Sequence, residues 1–319
     1  MRVFVVGATG AIGTRLVPRL IDAGHEVTGT YHSPAKAEHL RSLGAKAMAL
    51  DLLDAHAVRR AVLDSAPEAI ILQATALADV RFGRSLDKTF AATNRLRTEG
   101  TDALVAAAWE ADVRRIVAQS FANYRYARQG DMVKAESDPL DPTPAPNTER
   151  TNAAMRHLDE AVTEAGGIAL RYGGFYGATE DPLINAIRNR RFPLIGDAGG
   201  FTSWIHLDDA AAATVLALER EGPAIYNIVD DEPAPAGEWL PALAEALGAK
   251  PPRHLPLWLA RLLGGEAVVA MGEARGASNA KAKLELGWAP RYPSWRIGFA
   301  AAFSGSEAAP EHATRILSP

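Results

Sequence analysis

The seven residues GATGAIG (7–13) follow directly on the apolar run Val3, Phe4, Val5 and Val6, so the chain enters a triple-glycine turn almost at once. Glycine reaches backbone angles closed to other residues and lets a ligand approach the main chain closely. A helix starting near Ala11 would point free N–H groups and the positive end of its dipole at the same spot. Tight strand–helix turns also use glycine for packing alone. Placed between a buried strand and a helix, however, this turn reads as a phosphate cradle for a dinucleotide. Gly7, Thr9, Gly10, Ala11, Ile12 and Gly13 are then candidate cofactor-binding residues.

The following residues supply the βαβ setting that such a cradle needs. Apolar strands at 3–6, 26–31, 45–50, 69–74, 115–119 and 168–172 alternate with helical stretches at 12–23, 34–43, 55–65, 90–111 and 153–165. Strands separated by helices of this length predict a parallel sheet covered on both faces. The expected fold class is α/β: a Rossmann-like doubly wound parallel sheet, with its ligand beyond the carboxyl ends of the strands. Residues 1–177 read as the dinucleotide-binding domain, with a return to the sheet at about 203–230 through a helix at 210–219 and a strand at 224–229. Pro, Gly and Trp cluster in "RRFPLIGDAGGFTSW" and "KPPRHLPLW", which predicts a smaller, irregular C-terminal substrate lobe over 178–202 and 231–303. Residues 304–319 have little core potential and read as a tail.

Composition excludes several classes. There is no cysteine, so disulfides, thiolate nucleophiles and Cys-based metal sites are ruled out. A net charge of −4 gives no electrostatic reason to expect nucleic acid or an anionic membrane as partner. No uncharged apolar run approaches the roughly 18 residues that a membrane span needs. The first strand begins at Arg2, leaving no room for a targeting segment, so a cytoplasmic protein is expected. The eight histidines are scattered without a His-Glu-x-x-His, so no metal site is expected; Gly-x-Ser-x-Gly is absent too.

With its Gly-x-x-Gly-x-x-Gly spacing the sequence resembles the extended short-chain dehydrogenase/reductase family, of the epimerase/dehydratase type. The likeness runs through LDLLD (50–54), QATAL (73–77), TNRLRTEGTDALVAAA on the long helix, LRYGGFYG (170–177), WIHLDDAA (204–211) and ELGWAPRYPSW near the end. It implies that Asp51 and Leu52 lie at the adenine ring and that Ala74, Thr75 and Ala76 run along the cofactor ribose. It also implies that Asn94 faces the ligand from the helix, while Tyr172, Gly173 and Phe175 border the nicotinamide.

The end of the second strand bears on the choice of nucleotide. NAD binders usually place an Asp or Glu there for the ribose hydroxyls. Here TGTYHSPAK (28–36) offers Tyr31, His32, Ser33 and Lys36 and no acid, which favours NADP(H) and leaves NAD(H) possible. Ser33 is also expected to cap the helix that starts at Pro34.

The resembling family pairs a Ser or Thr after the fifth strand with Tyr-x-x-x-Lys on the next helix, because a carbonyl that accepts hydride also needs a proton. No Tyr-x-x-x-Lys occurs in this sequence. Ser120 falls at the first place of the family's serine turn and Phe121 at the catalytic hydroxyl; Asn152 falls at the tyrosine and Arg156 at the lysine. Ser120, Tyr124, Asn152 and Arg156 are therefore the candidate catalytic residues, with Tyr124 the substitute proton donor and Tyr172 a second aromatic near it. Both tyrosines also read as pocket walls. His206, Asp208 and Asp209 precede a helix whose start the two aspartates are expected to cap, and Arg188–Arg191 read mainly as a solvated face. Trp239, Trp258 and Trp288 read as core or lid walls that hint at an apolar pocket.

The expected function is that of an NADP(H)-dependent oxidoreductase acting on a small, fairly apolar carbonyl compound with an atypical active site. Two alternatives stay open: a catalytically silent NADP-sensing regulatory protein, and a sugar-nucleotide epimerase or dehydratase. The expected partner is a small-molecule substrate, and a homodimer through helices 90–111 and 153–165 is possible.

Overall fold

The computed structural model describes residues 1–77, 80, 85–178 and 182–303; the segment read as a tail lies outside them. Strands β1 (Arg2–Val6), β2 (Glu26–Tyr31), β3 (Lys46–Ala49), β4 (Ala69–Leu72) and β5 (Arg115–Phe121) join Ile168–Tyr172 and Ala224–Ile228 in one seven-stranded sheet. Starting from its last strand in the sequence, the order is Ala224–Ile228, Ile168–Tyr172, β5, β4, β1, β2, β3, and every pair is parallel. This is the expected Rossmann-like doubly wound sheet. The chain reverses its direction of winding between β1 and β4, so the crevice opens beyond Val6 and Leu72.

The strands are buried on both faces because helices cover both. Val3, Val5, Val117, Ile168 and Leu170 pack with Leu16, Val17 and Leu20 of α1 (Gly13–Asp22) and with the helix Leu207–Leu218. Phe4, Val6, Ile70, Leu72, Ile116 and Ala118 face Val58 and Val62, Leu104 and Leu158 on the other side. A third core lies in the C-terminal part, where Trp204, Trp239, Trp295, Phe299 and Tyr176 meet edge to face or tilted. Trp239 and Trp288 are buried, whereas Trp258 is exposed on the helix Leu257–Gly264. Among the described residues no helix is long and apolar enough to cross a membrane.

Three local differences from the sequence reading have clear causes. The long helix at 90–111 is divided by a π-helical stretch, Leu96–Gly100, where the backbone lies against Leu52; a Cβ at Gly100 would come within 2.8 Å of Leu52 Cγ. The helix expected from 153 begins at Glu149, because the Asp87 carboxylate accepts from the Arg150 and Thr151 N–H groups at its first turn. His206, rather than either aspartate, caps Leu207–Leu218, its Nδ1 accepting from Asp208 N at 3.1 Å. Asp208 instead pairs with Arg15 and Arg19, and Asp209 receives the Arg291 and Tyr292 N–H groups.

Candidate active site

The three glycines of the turn have different reasons to be glycine. Gly7 adopts φ +85°, and a Cβ there would lie 2.7 Å from Ala74 N at the end of β4. At Gly13 a Cβ would meet the Ala8 carbonyl at 2.5 Å, so α1 can start only against a bare backbone. Gly10 is exposed and a Cβ there would meet only the Gly7 carbonyl, at 3.3 Å. Packing therefore explains Gly7 and Gly13 and gives Gly10 no comparable reason to be glycine. Thr9 is half-buried, Ala11 exposed and Ile12 buried. Ile12 occupies the N-cap of α1 without a capping side chain, and the first turn carries no acid, so the positive helix end faces the crevice. Arg15 ties this turn to the far side of the crevice, donating to the Ala11 carbonyl at 3.1 Å and the Gly177 carbonyl at 2.8 Å.

The residues expected around the nucleotide follow the carboxyl ends of β2, β3 and β4. Tyr31 is half-buried and its carbonyl accepts from Leu50 N; His32, Ser33 and Lys36 are exposed. Ser33 is the N-cap residue of the short 3₁₀ helix Pro34–Lys36, but its hydroxyl makes no capping bond. Asp51 accepts from Leu53 N, and Leu52 is buried. Ala74 and Thr75 are half-buried, Ala76 is exposed, and Ala76 N donates to Thr93 Oγ1. Asn94 donates to Thr151 Oγ1 at 3.1 Å, while its enclosed Oδ1 has no hydrogen-bond partner among the described residues. Thr151 in turn donates to Asp87, so Asn94 is fixed to the start of the helix Glu149–Glu164.

The candidate catalytic residues lie beyond β5 and on that helix. Ser120 is 1% exposed, and its Oγ accepts from Arg125 Nη1 at 3.1 Å, leaving its own proton to donate. Arg125 also donates to Asp159 Oδ2 at 2.6 Å, and Arg171 Nε reaches the same oxygen at 2.8 Å. Arg97 is buried as well; desolvation, then repulsion by Arg125, brings its pKa down to about 10. Asn152 Nδ2 is turned back to the Thr148 carbonyl at 3.0 Å, and Arg156 is exposed. Tyr124 has φ +62° and is 37% exposed, with its ring 6.4 Å from that of Phe121. Its pKa is raised by desolvation of the hydroxyl, opposed by a hydrogen bond to Thr202. Tyr172 is fully buried, its hydroxyl 2.6 Å from Thr214 Oγ1 and accepting from Gln73, with burial pushing its pKa up to about 12. Gly173 is buried beside Ser203, where a Cβ would lie 2.7 Å from the Ser203 carbonyl, and Phe175 is half-buried at 5.5 Å from the Tyr172 ring. Among the described residues, no group of three or more His, Asp or Glu could hold a metal ion.

Sequence reasoning did not find the Arg97, Arg125, Asp159 and Arg171 cluster. Its members come from four separate segments, and the only local hint is a charged residue inside otherwise apolar stretches. The Arg15 bridge was equally invisible.

Residues 3–229 match the NAD dependent epimerase/dehydratase family. The chain belongs to that family. A 3-diazoavenalumate denitrifying reductase of a Streptomyces species is 42% identical over 307 residues, covering 93% of this chain and 99% of the relative. A 4-hydroxy-2-methyl-3-oxo-4-farnesyl-3,4-dihydroquinoline-1-oxide ketoreductase of Stigmatella aurantiaca is 28% identical, covering 91% and 92%. Among solved structures, the UDP-glucose 4-epimerase of Thermotoga maritima superposes with a TM-score of 0.74 at 19% identity, covering 95% of this chain and 97% of that one, a likeness of fold. The family and the named reductases make the chain an NAD(P)-dependent oxidoreductase of the extended short-chain type.

Proposed function

We propose that the protein is an NADP(H)-dependent reductase whose small, apolar substrate carries a diazo group, which leaves as dinitrogen and is replaced by hydrogen. The supporting observation is the state of the four candidate proton donors. Tyr124 has a raised pKa, Asn152 is bonded to its own helix, Arg156 is a guanidinium that does not give up its proton near neutrality, and Ser120, whose proton is left to donate, is only 1% exposed. A carbonyl needs a proton along with hydride. A diazo group in its cationic diazonium form does not. Its carbon–nitrogen bond breaks as a carbon–hydrogen bond forms, the old bonding pair leaves with dinitrogen, and the nucleotide is oxidised in the same step. The 42% identical denitrifying reductase supports this choice of substrate class.

The residues present fit a dinucleotide. Gly10 and the uncapped end of α1 would hold the pyrophosphate, and Asp51, Leu52, Ala74, Thr75 and Ala76 would border the adenosine. His32, Ser33 and Lys36 would take a 2′-phosphate, and Ser33 is available because its hydroxyl caps nothing. The reduced nicotinamide supplies the hydride. Phe121, Tyr124 and Phe175 would border the reacting end and exclude water.

A second reading, reduction of an apolar ketone, is favoured by the ketoreductase relative. In it Ser120 donates the proton, since its oxygen already accepts from Arg125. Stopped-flow NADPH oxidation separates the two. The first reading expects turnover with an aryl diazonium salt and little with ketones, aldehydes or quinones. Turnover restricted to carbonyl compounds would replace it with the second. Tight NADPH binding without turnover on either panel would leave a sensor.

A further inference from the structure

Tyr124 combines a strained backbone with an open side chain. Residues 122–127 are otherwise all interior: Ala122, Asn123, Arg125, Tyr126 and Ala127 are each no more than 4% exposed, whereas Tyr124 is 37% exposed. Its φ of +62° is a conformation that a bulky aromatic residue rarely adopts and that glycine adopts without penalty.

The strain is imposed by its two neighbours. Asn123 is bonded to the Ser203 backbone from both sides, donating Nδ2–H to the carbonyl at 3.0 Å and accepting from the N–H at 2.9 Å. Arg125 is anchored to Ser120, to the Phe121 carbonyl and to Asp159. With both flanking side chains directed inward and fixed, the turn between them leaves position 124 facing out. Its ring lies beside that of Phe121, the centroids 6.4 Å apart and the planes tilted by 42°.

A residue this unfavourable for the fold persists where the ring itself is needed. The loop follows the carboxyl end of β5, on the crevice edge of the sheet. We propose that Tyr124 determines specificity: its exposed ring face, backed by Phe121, stacks on an aromatic ring of the substrate. The proposal deepens the reductase reading by naming the substrate as aromatic, and it rests on that reading for the location of the pocket. Tyr124 positions the substrate and does not deliver a proton.

The test uses two neutral, unreactive probes of similar length, cinnamyl alcohol and hexa-2,4-dien-1-ol, titrated into the full chain with and without NADP+. NADPH affinity and melting temperature are measured on the same samples. The wild-type chain should bind the aromatic alcohol at least tenfold more tightly. Y124G should lose that preference, keep its affinity for the dienol and for NADPH, and melt at a higher temperature because the strained residue is gone. Y124F should keep the preference. Y124G retaining it, or a wild-type chain without it, would overturn the proposal. So would a Y124G that melts lower, since the ring would then serve the fold. A wild-type chain that shows the preference but binds no NADPH would overturn the reductase reading and support this one.

Discussion

Arg125 Nη2 and Asp159 Oδ2 lie 2.6 Å apart in the interior, with side chains 2% and 3% exposed. Because Arg171 shares that oxygen and Arg97 is buried close by, one carboxylate offsets more than one guanidinium. Removing the anion leaves uncompensated buried cations. Asp159→Asn should therefore destabilise the fold by about 3–5 kcal/mol in urea unfolding. Arg97→Met, which removes one of the surplus cations, should be neutral or stabilising. An Asp159→Asn variant as stable as wild type would contradict this account of the cluster.

The glycine turn should separate folding from binding. Gly10→Asp meets little steric resistance, so its melting temperature should stay near wild type while NADPH binding is lost to a carboxylate set against the pyrophosphate. Gly7→Ala puts a methyl group against the Ala74 backbone at positive φ and should cost about 2 kcal/mol or more of stability. Paired melting and fluorescence titrations check both. Retained affinity in Gly10→Asp would remove the turn from the site.

Nucleotide choice should reside at the end of β2. The double variant Ser33→Ala, Lys36→Ala should weaken NADPH by about tenfold or more, the loss of one or two charge-assisted contacts. NADH affinity should not change. Nor should stability, since the Ser33 hydroxyl makes no capping bond. Equal weakening of both nucleotides would contradict the 2′-phosphate assignment.

Asp230 should give the stability curve a slope in the neutral range. Its carboxyl is 1% exposed, and desolvation, opposed by hydrogen bonding from Glu232 N, pushes its pKa from 3.8 up to about 8. The folded state thus holds a proton that the unfolded state releases near pH 4. The stabilisation is complete below that point and is lost as pH rises to about 8. From pH 5 to 8 it amounts to at most about 4 kcal/mol. Asp230→Asn should flatten that part of the curve and be the more stable protein at pH 8. An unchanged slope in urea titrations across this range would contradict the assignment.

Elements with a strong local signature were legible in the sequence to the residue. Glu26–Tyr31, Ala55–Ser65 and Ile168–Tyr172 fall where apolar runs and turn residues put them, and Asp54 caps its helix by accepting from Ala57 N at 3.0 Å. What the sequence hid depends on distant partners. The start of the helix at Glu149 is set by Asp87, more than sixty residues earlier in the chain. Ser33 and Asp209 look like caps, yet neither caps. Asp209 finds two backbone donors at Arg291 and Tyr292 that no local pattern announces. The strain at Tyr124 is likewise set by Ser203 and Asp159, each far along the chain.

The most direct test of the reductase reading follows the origin of the new hydrogen. An aryl diazonium salt is turned over with NADPH deuterated at the transferred position of C4 in ordinary water, and again with unlabelled NADPH in D2O. Proposed hydride transfer without a protein proton predicts one deuterium per product in the first experiment, at the carbon that bore nitrogen, and none in the second. Deuterium entering that position from D2O, or a product unlabelled by the deuterated nucleotide, would contradict it.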